Sequence, residues 1–310
     1  KSLQLLKRAR KGLFQFEIGV QSTNPHTIKA IQRNTSFEKL KTVVKRIKQY
    51  DNIHQHLDLI AGLPYENYHS FRNSFNDVYD LQPEQLQLGF LKLLKGSGLR
   101  EQAEQYGIIY RKNAVYEVLY TKELCYTEIC RLKQIEDMVE TYYNSGKAYH
   151  TIACAIHYFE TPFDFYEALG DYFVKKGHYA VQHSKIELYT ILYNFITETS
   201  CTAEHQKLLK DCLKFDIFIN DYVKTLPYWL EEAPDEKQKR WDYFNHTTLI
   251  QQKAPHLAEQ TPKQLSKRCY IGFFHYDIFS ENKCKKETVI LFDYGKRDKI
   301  TGKYMCYQIV

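Results

Sequence analysis

Residues 1–98 alternate between helix-like and strand-like segments, and this order constrains the fold more than any other feature of the sequence. Phe14–Gln21 alternates apolar and polar residues, which is typical of a half-buried strand. Strand-like segments recur at His54–Ala61 and Leu86–Leu93, and a helical segment precedes each of them. Strands joined by helices form parallel crossover units. The sequence therefore predicts an α/β fold here, with three parallel strands and outer helices.

The rest of the chain has a different character. Residues 99–122 read as a connector, and residues 123–268 show mainly helical periodicity. Three later segments are rich in Tyr, Ile, Phe and Val and are predicted as short antiparallel strands: 269–279, 287–294 and 303–310. We therefore predict a mainly α-helical domain over 123–310 that ends in short antiparallel strands.

Composition narrows the class of protein. Hydrophobic residues make up 44% and charged residues 26%, so the chain is globular rather than disordered. No apolar run approaches the ~20 residues of a membrane span. A net charge of +6 is too mild to indicate a nucleic-acid binder. The cysteines lack metal-ligand spacing, which favours a reduced, cytoplasmic location; they are Cys125, Cys130, Cys154, Cys201, Cys212, Cys269, Cys284 and Cys306.

One face of each predicted strand is apolar and the other is polar. The polar positions, strand by strand, are Gln15, Glu17, Gly19 and Gln21; His54, His56, Asp58 and Gly62; and Gln85, Gln87 and Gly89. Polar groups that face a dry core without partners cost several kcal/mol each. This face either lines a polar cavity, which we favour, or belongs to an open sheet with a wet face. By the same alternation, Lys92 falls on the apolar face.

The segment Asp58–Glu66, with the sequence DLIAGLPYE, is the most informative. An acid near a strand end can accept hydrogen bonds from two ribose hydroxyls, and ligands of parallel sheets bind at those ends. Gly62 lets the backbone approach a flat ring closely, and Pro64 fixes the turn. The guanidinium of Arg33 suits a carboxylate. The structural alternatives are a tight β-to-α turn for Gly62 and a surface helix position for Arg33.

These segments together resemble a known family. Glu17–Ser22, Ile31–Arg33 and Asp58–Pro64 resemble the second half of the radical S-adenosylmethionine (radical SAM) barrel. They are closest to its oxygen-independent coproporphyrinogen oxidase-like and cobalamin-dependent branches. Gln87–Gly96 and the helical region beyond it resemble B12-binding-type radical SAM proteins with an uncharacterised C-terminal domain. The resemblance implies that residues 1–98 form a partial (β/α) barrel.

The resemblance also implies roles for individual residues around the cofactor S-adenosylmethionine. Gln21 would contact its methionine or ribose part, Arg33 would pair with the methionine carboxylate, and Asp58 would hold the ribose hydroxyls. Four further residues are implied around the same ligand: the backbone of Gly62 and Leu63 beside the adenine, and Glu17 and Ser22 as second choices in the same cavity.

The family's cluster signature, Cys-x-x-x-Cys-x-x-Cys, which holds a [4Fe-4S] cluster, is missing from this sequence. Residue 1 is Lys, and we expect the chain to be a piece of a longer protein, with an upstream barrel half or a B12-binding domain as its partner. The resemblance implies that the parent protein cleaves S-adenosylmethionine to a radical or, with cobalamin, transfers a methyl group. The alternatives are a non-catalytic truncated protein or binding module, and an acid–base enzyme that uses Glu17 with His56.

Overall fold

A computed structural model of the chain describes residues 2–199, 202–223, 225–230, 232–280, 283–298 and 301–310. They form two compact units. The first unit runs to Ser145 and includes Phe159–Tyr179, and the second combines Gly146–Tyr158 with Ala180–Val310. Cys201 lies outside the described residues. The predicted domain limits at 98 and 122 remain predictions.

Helices and strands are numbered in chain order. The α-helices are α1 Ser2–Lys7, α2 Pro25–Ala30, α3 Phe37–Lys48, α4 Tyr68–Tyr79, α5 Gly98–Glu101, α6 Tyr126–Met138, α7 Tyr149–Ala155, α8 Pro162–Lys176, α9 Lys185–Glu198, α10 Ala203–Asn220, α11 Glu236–Asn245, α12 Thr247–Lys253 and α13 Pro262–Arg268. The strands are β1 Phe14–Gln21, β2 Ile53–Ala61, β3 Gln85–Phe90, β4 Ile109–Tyr110, β5 Val118–Tyr120, β6 Cys269–Tyr276, β7 Lys285–Arg297 and β8 Tyr304–Gln308. Among the described helices, none is both long and apolar enough to cross a bilayer.

The first unit contains a parallel sheet with the strand order β1-β2-β3, and the second contains an antiparallel sheet with the order β6-β7-β8. Helices link the parallel strands, and α7 with α9 to α13 precede the antiparallel ones. The predicted fold class, an α/β region with three parallel strands followed by mainly helical structure and short antiparallel strands, is therefore confirmed. The connector forms the small antiparallel pair β4-β5.

The two faces of the parallel sheet differ as the alternation predicts. In β2, Leu57 and Leu59 are fully buried, and α3 and α4 pack against this strand. The opposite face is open to solvent, because Glu17 and Gln87 are exposed and Asp58 is half-buried. The enclosed cavity that we favour from the sequence is thus not formed by the described residues. The exposed polar side chains of this face, such as Glu17 and Gln87, stay hydrated and carry no burial penalty.

The third strand ends earlier than predicted. β3 stops at Phe90, and beyond it the buried residues are Leu91 and Leu93, so that Lys92 is exposed. The prediction that Lys92 lies on the apolar face is therefore wrong. The reason is a change of partner, because Lys92 forms an isolated antiparallel bridge with Glu117, just before β5. Simple alternation fails where a chain leaves its sheet.

Candidate functional site

The carboxyl ends of β1 and β2 bring Gln21 and Asp58 into contact. The strand register pairs Gly19 with Asp58, but the next pair joins Gln21 to Leu59, so one extra residue, Val20, forms a bulge. Gln21 itself has a φ of 71°, a conformation that residues other than glycine rarely adopt. A bulge re-aims the side chains beside it. As a result, Nε2 of Gln21 donates a hydrogen bond of 3.0 Å to Oδ2 of Asp58.

Arg33 reaches the same place from the end of α2. In the turn that follows this helix, Gln32 has a φ of 56°. The Arg33 N–H donates a hydrogen bond of 3.0 Å to the Ile28 carbonyl, so that the helix ends in a Schellman motif. Nη1 of Arg33 donates to the carbonyl of Gly19. A Cβ on Gly19 would lie 3.2 Å from Nη1 of Arg33 and 2.8 Å from Nε2 of Gln21. The structure therefore brings the ends of the Gln21 and Arg33 side chains close over Gly19, the register partner of Asp58, where a Cβ would force them to move.

Arg33 has N–H donors, and Asp58 has an acceptor oxygen, that remain available to a ligand. Burial raises the pKa of Asp58, and the hydrogen bond from Gln21 and the charge of Arg33 oppose that rise. Among the described residues, none donates a hydrogen bond to Oδ1 of Asp58, and Arg33 forms no ion pair. Arg33 is exposed. Its remaining N–H groups can form the paired hydrogen bonds that a carboxylate accepts.

Glu17 lies on the same face of the parallel sheet, two residues before Gly19 in β1, and its carboxylate contacts a histidine. Its Oε1 is 3.0 Å from Nδ1 of His56 and accepts a hydrogen bond of 2.7 Å from Gln15. Nε2 of His56 is buried without a hydrogen-bond partner in the described structure. The structure thus forms the Glu17–His56 pair that the acid–base alternative needs. Apart from these contacts, Glu17 is available to a ligand on the open face.

Ser22 is placed away from these side chains, in a buried cluster. It is 2% exposed, and its hydroxyl donates a hydrogen bond of 2.6 Å to Oε1 of Glu66. Ser74, in α4, donates to the same oxygen at 2.9 Å. Burial raises the pKa of Glu66 to about 7, although both serine hydrogen bonds lower it. Sequence reasoning missed this role of Glu66, and its position two residues after Pro64 was the available signal.

Gly62 and Leu63 form the turn after β2. Gly62 has a φ of 89°, and a Cβ there would lie 2.9 Å from Cγ1 of Val118. Glycine is therefore required at this position by its backbone conformation and by packing against β5. Leu63 is buried, with 2% of its surface exposed. Their predicted place beside an adenine ring stays a prediction.

No metal centre is evident in the part of the chain that the structure describes. Within it, no three His, Cys, Asp or Glu side chains lie together in an arrangement that could hold a metal ion. A [4Fe-4S] cluster is held by three or four cysteine thiolates that lie together, and no three of the described cysteines do so. The residues present therefore do not fit such a cluster.

The family of the chain follows from a family model that matches residues 104–292. The chain belongs to this family, which is described as "Protein of unknown function (DUF4080)". The matched residues begin shortly after β3 and end in β7. The side chains gathered at the ends of β1 and β2 thus precede the matched region.

A solved structure with partial similarity is coproporphyrinogen III oxidase from Escherichia coli, which is described as a radical SAM enzyme. It is 20% identical to this chain, the match covers 39% of this chain and 26% of that chain, and the TM-score is 0.29. The chain thus spans about a quarter of that enzyme's length, and so low a score does not establish a shared fold. No curated protein matches the sequence.

Proposed function

We propose that the first unit supplies part of a binding site for S-adenosylmethionine. The observation that carries this proposal is the meeting of Gln21, Arg33 and Asp58, which come from three separate segments, around Gly19. Ligands of parallel α/β sheets bind at the carboxyl ends of the strands, where this meeting occurs. The sequence resemblance to the radical SAM family rests on the same residues.

The chemistry of the three side chains fits the parts of this cofactor. The exposed guanidinium of Arg33 can bind the methionine carboxylate through two parallel hydrogen bonds. Asp58 accepts a hydrogen bond from Gln21 on one oxygen, so that its other oxygen can accept from a ribose hydroxyl. The carboxylate of Glu17, on the same open face, would favour the positive sulfonium. When bound, the cofactor would supply an activated methyl or adenosyl group, and these residues would orient it.

The wider proposal concerns the parent protein. By resemblance, it would be a radical SAM iron–sulfur enzyme of the cytoplasm, and an upstream barrel half would complete the site. The cluster would be bound outside the described residues of this chain, since their cysteines do not gather. A B12-binding domain and cobalamin belong to the same proposal, and they rest on the sequence resemblance alone, chiefly that of Gln87–Gly96 and the helical region beyond it.

Asp58→Asn is expected to weaken S-adenosylmethionine binding by about ten- to a hundredfold. A hydrogen bond to a charged group contributes about 1.5–3 kcal/mol, and each 1.4 kcal/mol is about a factor of ten in affinity. Calorimetric titration of the purified chain with S-adenosylmethionine measures the effect. Asp80→Asn, at an exposed position after α4, is the matched control and should bind like the unaltered chain. Equal affinity of Asp58→Asn and the unaltered chain, or no saturable binding at all, would contradict the proposal.

A further inference from the structure

Two buried cysteine thiols face each other between α7 and α10 of the second unit. Sγ of Cys154 lies 3.4 Å from Sγ of Cys212, although the two residues are 58 positions apart in the sequence. Cys212 is fully buried, and Cys154 is 7% exposed. A disulfide requires an S–S distance of about 2.05 Å. Closing the gap therefore needs sulfur displacements of only about an ångström.

A buried carboxylate fixes the two helices one turn away from the thiols. Oδ1 of Asp216, in α10, lies 2.8 Å from Nδ1 of His150, and Oδ2 accepts a hydrogen bond of 2.7 Å from Oγ1 of Thr151. It also accepts from the backbone N–H of Thr151 at 2.8 Å. Residues four apart share one helix face, so these bonds hold Cys154 and Cys212 at the same crossing. The thiols are thus preorganised by contacts that do not involve sulfur.

We propose that Cys154 and Cys212 form an oxidisable dithiol that closes to a disulfide when hydrogen peroxide reaches it. The Cys154 thiolate attacks one peroxide oxygen, the O–O bond breaks, and the sulfur becomes a sulfenic acid while hydroxide leaves and takes up a proton as water. Sγ of Cys212 then attacks Sγ of Cys154 and loses its proton, and the sulfenic hydroxyl leaves as a second water. The two thiols lose two electrons in total, and one peroxide gains them.

The surroundings decide which sulfur reacts first. The hydrogen bond from the Cys212 thiol lowers the pKa of Cys154, and the nearby Lys283 ammonium lowers it further, against the effect of burial. The pKa of Cys212 is raised instead, by the same hydrogen bond and by its burial. The thiolate is the nucleophile, and Cys154 is also the more exposed of the two. Cys154 is therefore the attacking sulfur and Cys212 the resolving one.

The experiment maps disulfides in the full chain after treatment with hydrogen peroxide. Free thiols are blocked, the chain is digested without reduction, and the peptides are measured by mass spectrometry. We expect the peptides that contain Cys154 and Cys212 to be joined, with a mass lower by two hydrogens than their sum. A disulfide across a loop of this length also stabilises the folded chain, so the midpoint of thermal unfolding should rise by roughly 5 °C or more and return after reduction.

Variants separate this pair from general thiol oxidation. Cys154→Ser and Cys212→Ala should each abolish the joined peptide and the thermal shift, whereas Cys306→Ser, at a partly buried thiol in β8, should retain both. The peptide map of the unaltered chain does not depend on whether a variant folds. Separate peptides with both thiols still free, or with both sulfurs oxidised and not joined, would overturn the proposal. The outcome is independent of S-adenosylmethionine binding.

Discussion

Asp293→Ala is expected to lower the free energy of unfolding of the second unit by about 3 kcal/mol, because it removes a buried acceptor of several charge-assisted hydrogen bonds. Asp293 is fully buried in β7 and accepts hydrogen bonds of 2.7 and 2.9 Å from Nε and Nη2 of Arg268. It also lies 2.8 Å from Nε2 of His256 and accepts from the backbone of Gly295. Its removal leaves these donors without their acceptor. Urea unfolding, followed by circular dichroism, measures the loss.

Two comparisons test the cause of this loss. Asp242→Ala removes an exposed carboxylate of α11 and should change the free energy of unfolding by less than about 0.5 kcal/mol. Asp293→Asn keeps an acceptor oxygen and should lie between Asp293→Ala and the unaltered chain. A loss for Asp293→Ala no larger than that for Asp242→Ala would show that the arrangement around Asp293 does not stabilise the second unit.

Glu66→Gln is expected to remove a pH-dependent loss of stability from the first unit. Burial raises the pKa of Glu66 from 4.5 to about 7. Between these values the folded chain keeps a proton that the unfolded chain has released, so the stability falls as the pH rises. A shift of this size corresponds to about 3 kcal/mol at pH 8. Glutamine has no charge to bury, and its carbonyl still accepts from Ser22 and Ser74.

The measurement is the free energy of unfolding of both chains between pH 4.5 and pH 8. Relative to Glu66→Gln, the unaltered chain should lose stability as the pH rises from 4.5 to about 7, and the difference should then level off toward pH 8. Glu101→Gln, at an exposed glutamate, should follow the pH dependence of the unaltered chain. Parallel pH curves for the unaltered chain and Glu66→Gln would mean that the Glu66 carboxyl is not held in its neutral form.

The sequence predicts the strands and their polar ends because alternation reports which face of a strand is buried. It placed Asp58 and Gln21 at neighbouring strand ends, and the structure joins them. It could not show how they meet. The contact between Gln21 and Asp58 depends on a bulge at Val20. The approach of Arg33 to Gly19 depends on Gln32, whose positive φ has no marker in the sequence when the residue is not glycine.

Contacts between segments that are distant in the sequence could not be predicted either. Ser22 and Glu66 are 44 positions apart, and each alone reads as an ordinary loop residue. The two thiols of the second unit lie on helices whose crossing no local pattern specifies. The exposure of Lys92 was missed for a related reason, since the chain changes its partner strand after Phe90. In each case tertiary packing, rather than local periodicity, decides the position of the side chain.

The most direct test of the S-adenosylmethionine site compares the binding of two ligands to the unaltered chain and to two variants. If Arg33 holds the methionine carboxylate, the unaltered chain should bind S-adenosylmethionine at least about ten times more tightly than its decarboxylated analogue, about 1.4 kcal/mol. Arg33→Gln should bind both ligands with similar affinity, while Arg46→Gln, at an exposed arginine of α3, should still discriminate. Equal binding of the two ligands by the unaltered chain, or an Arg33→Gln variant that still prefers the carboxylate, would contradict the account.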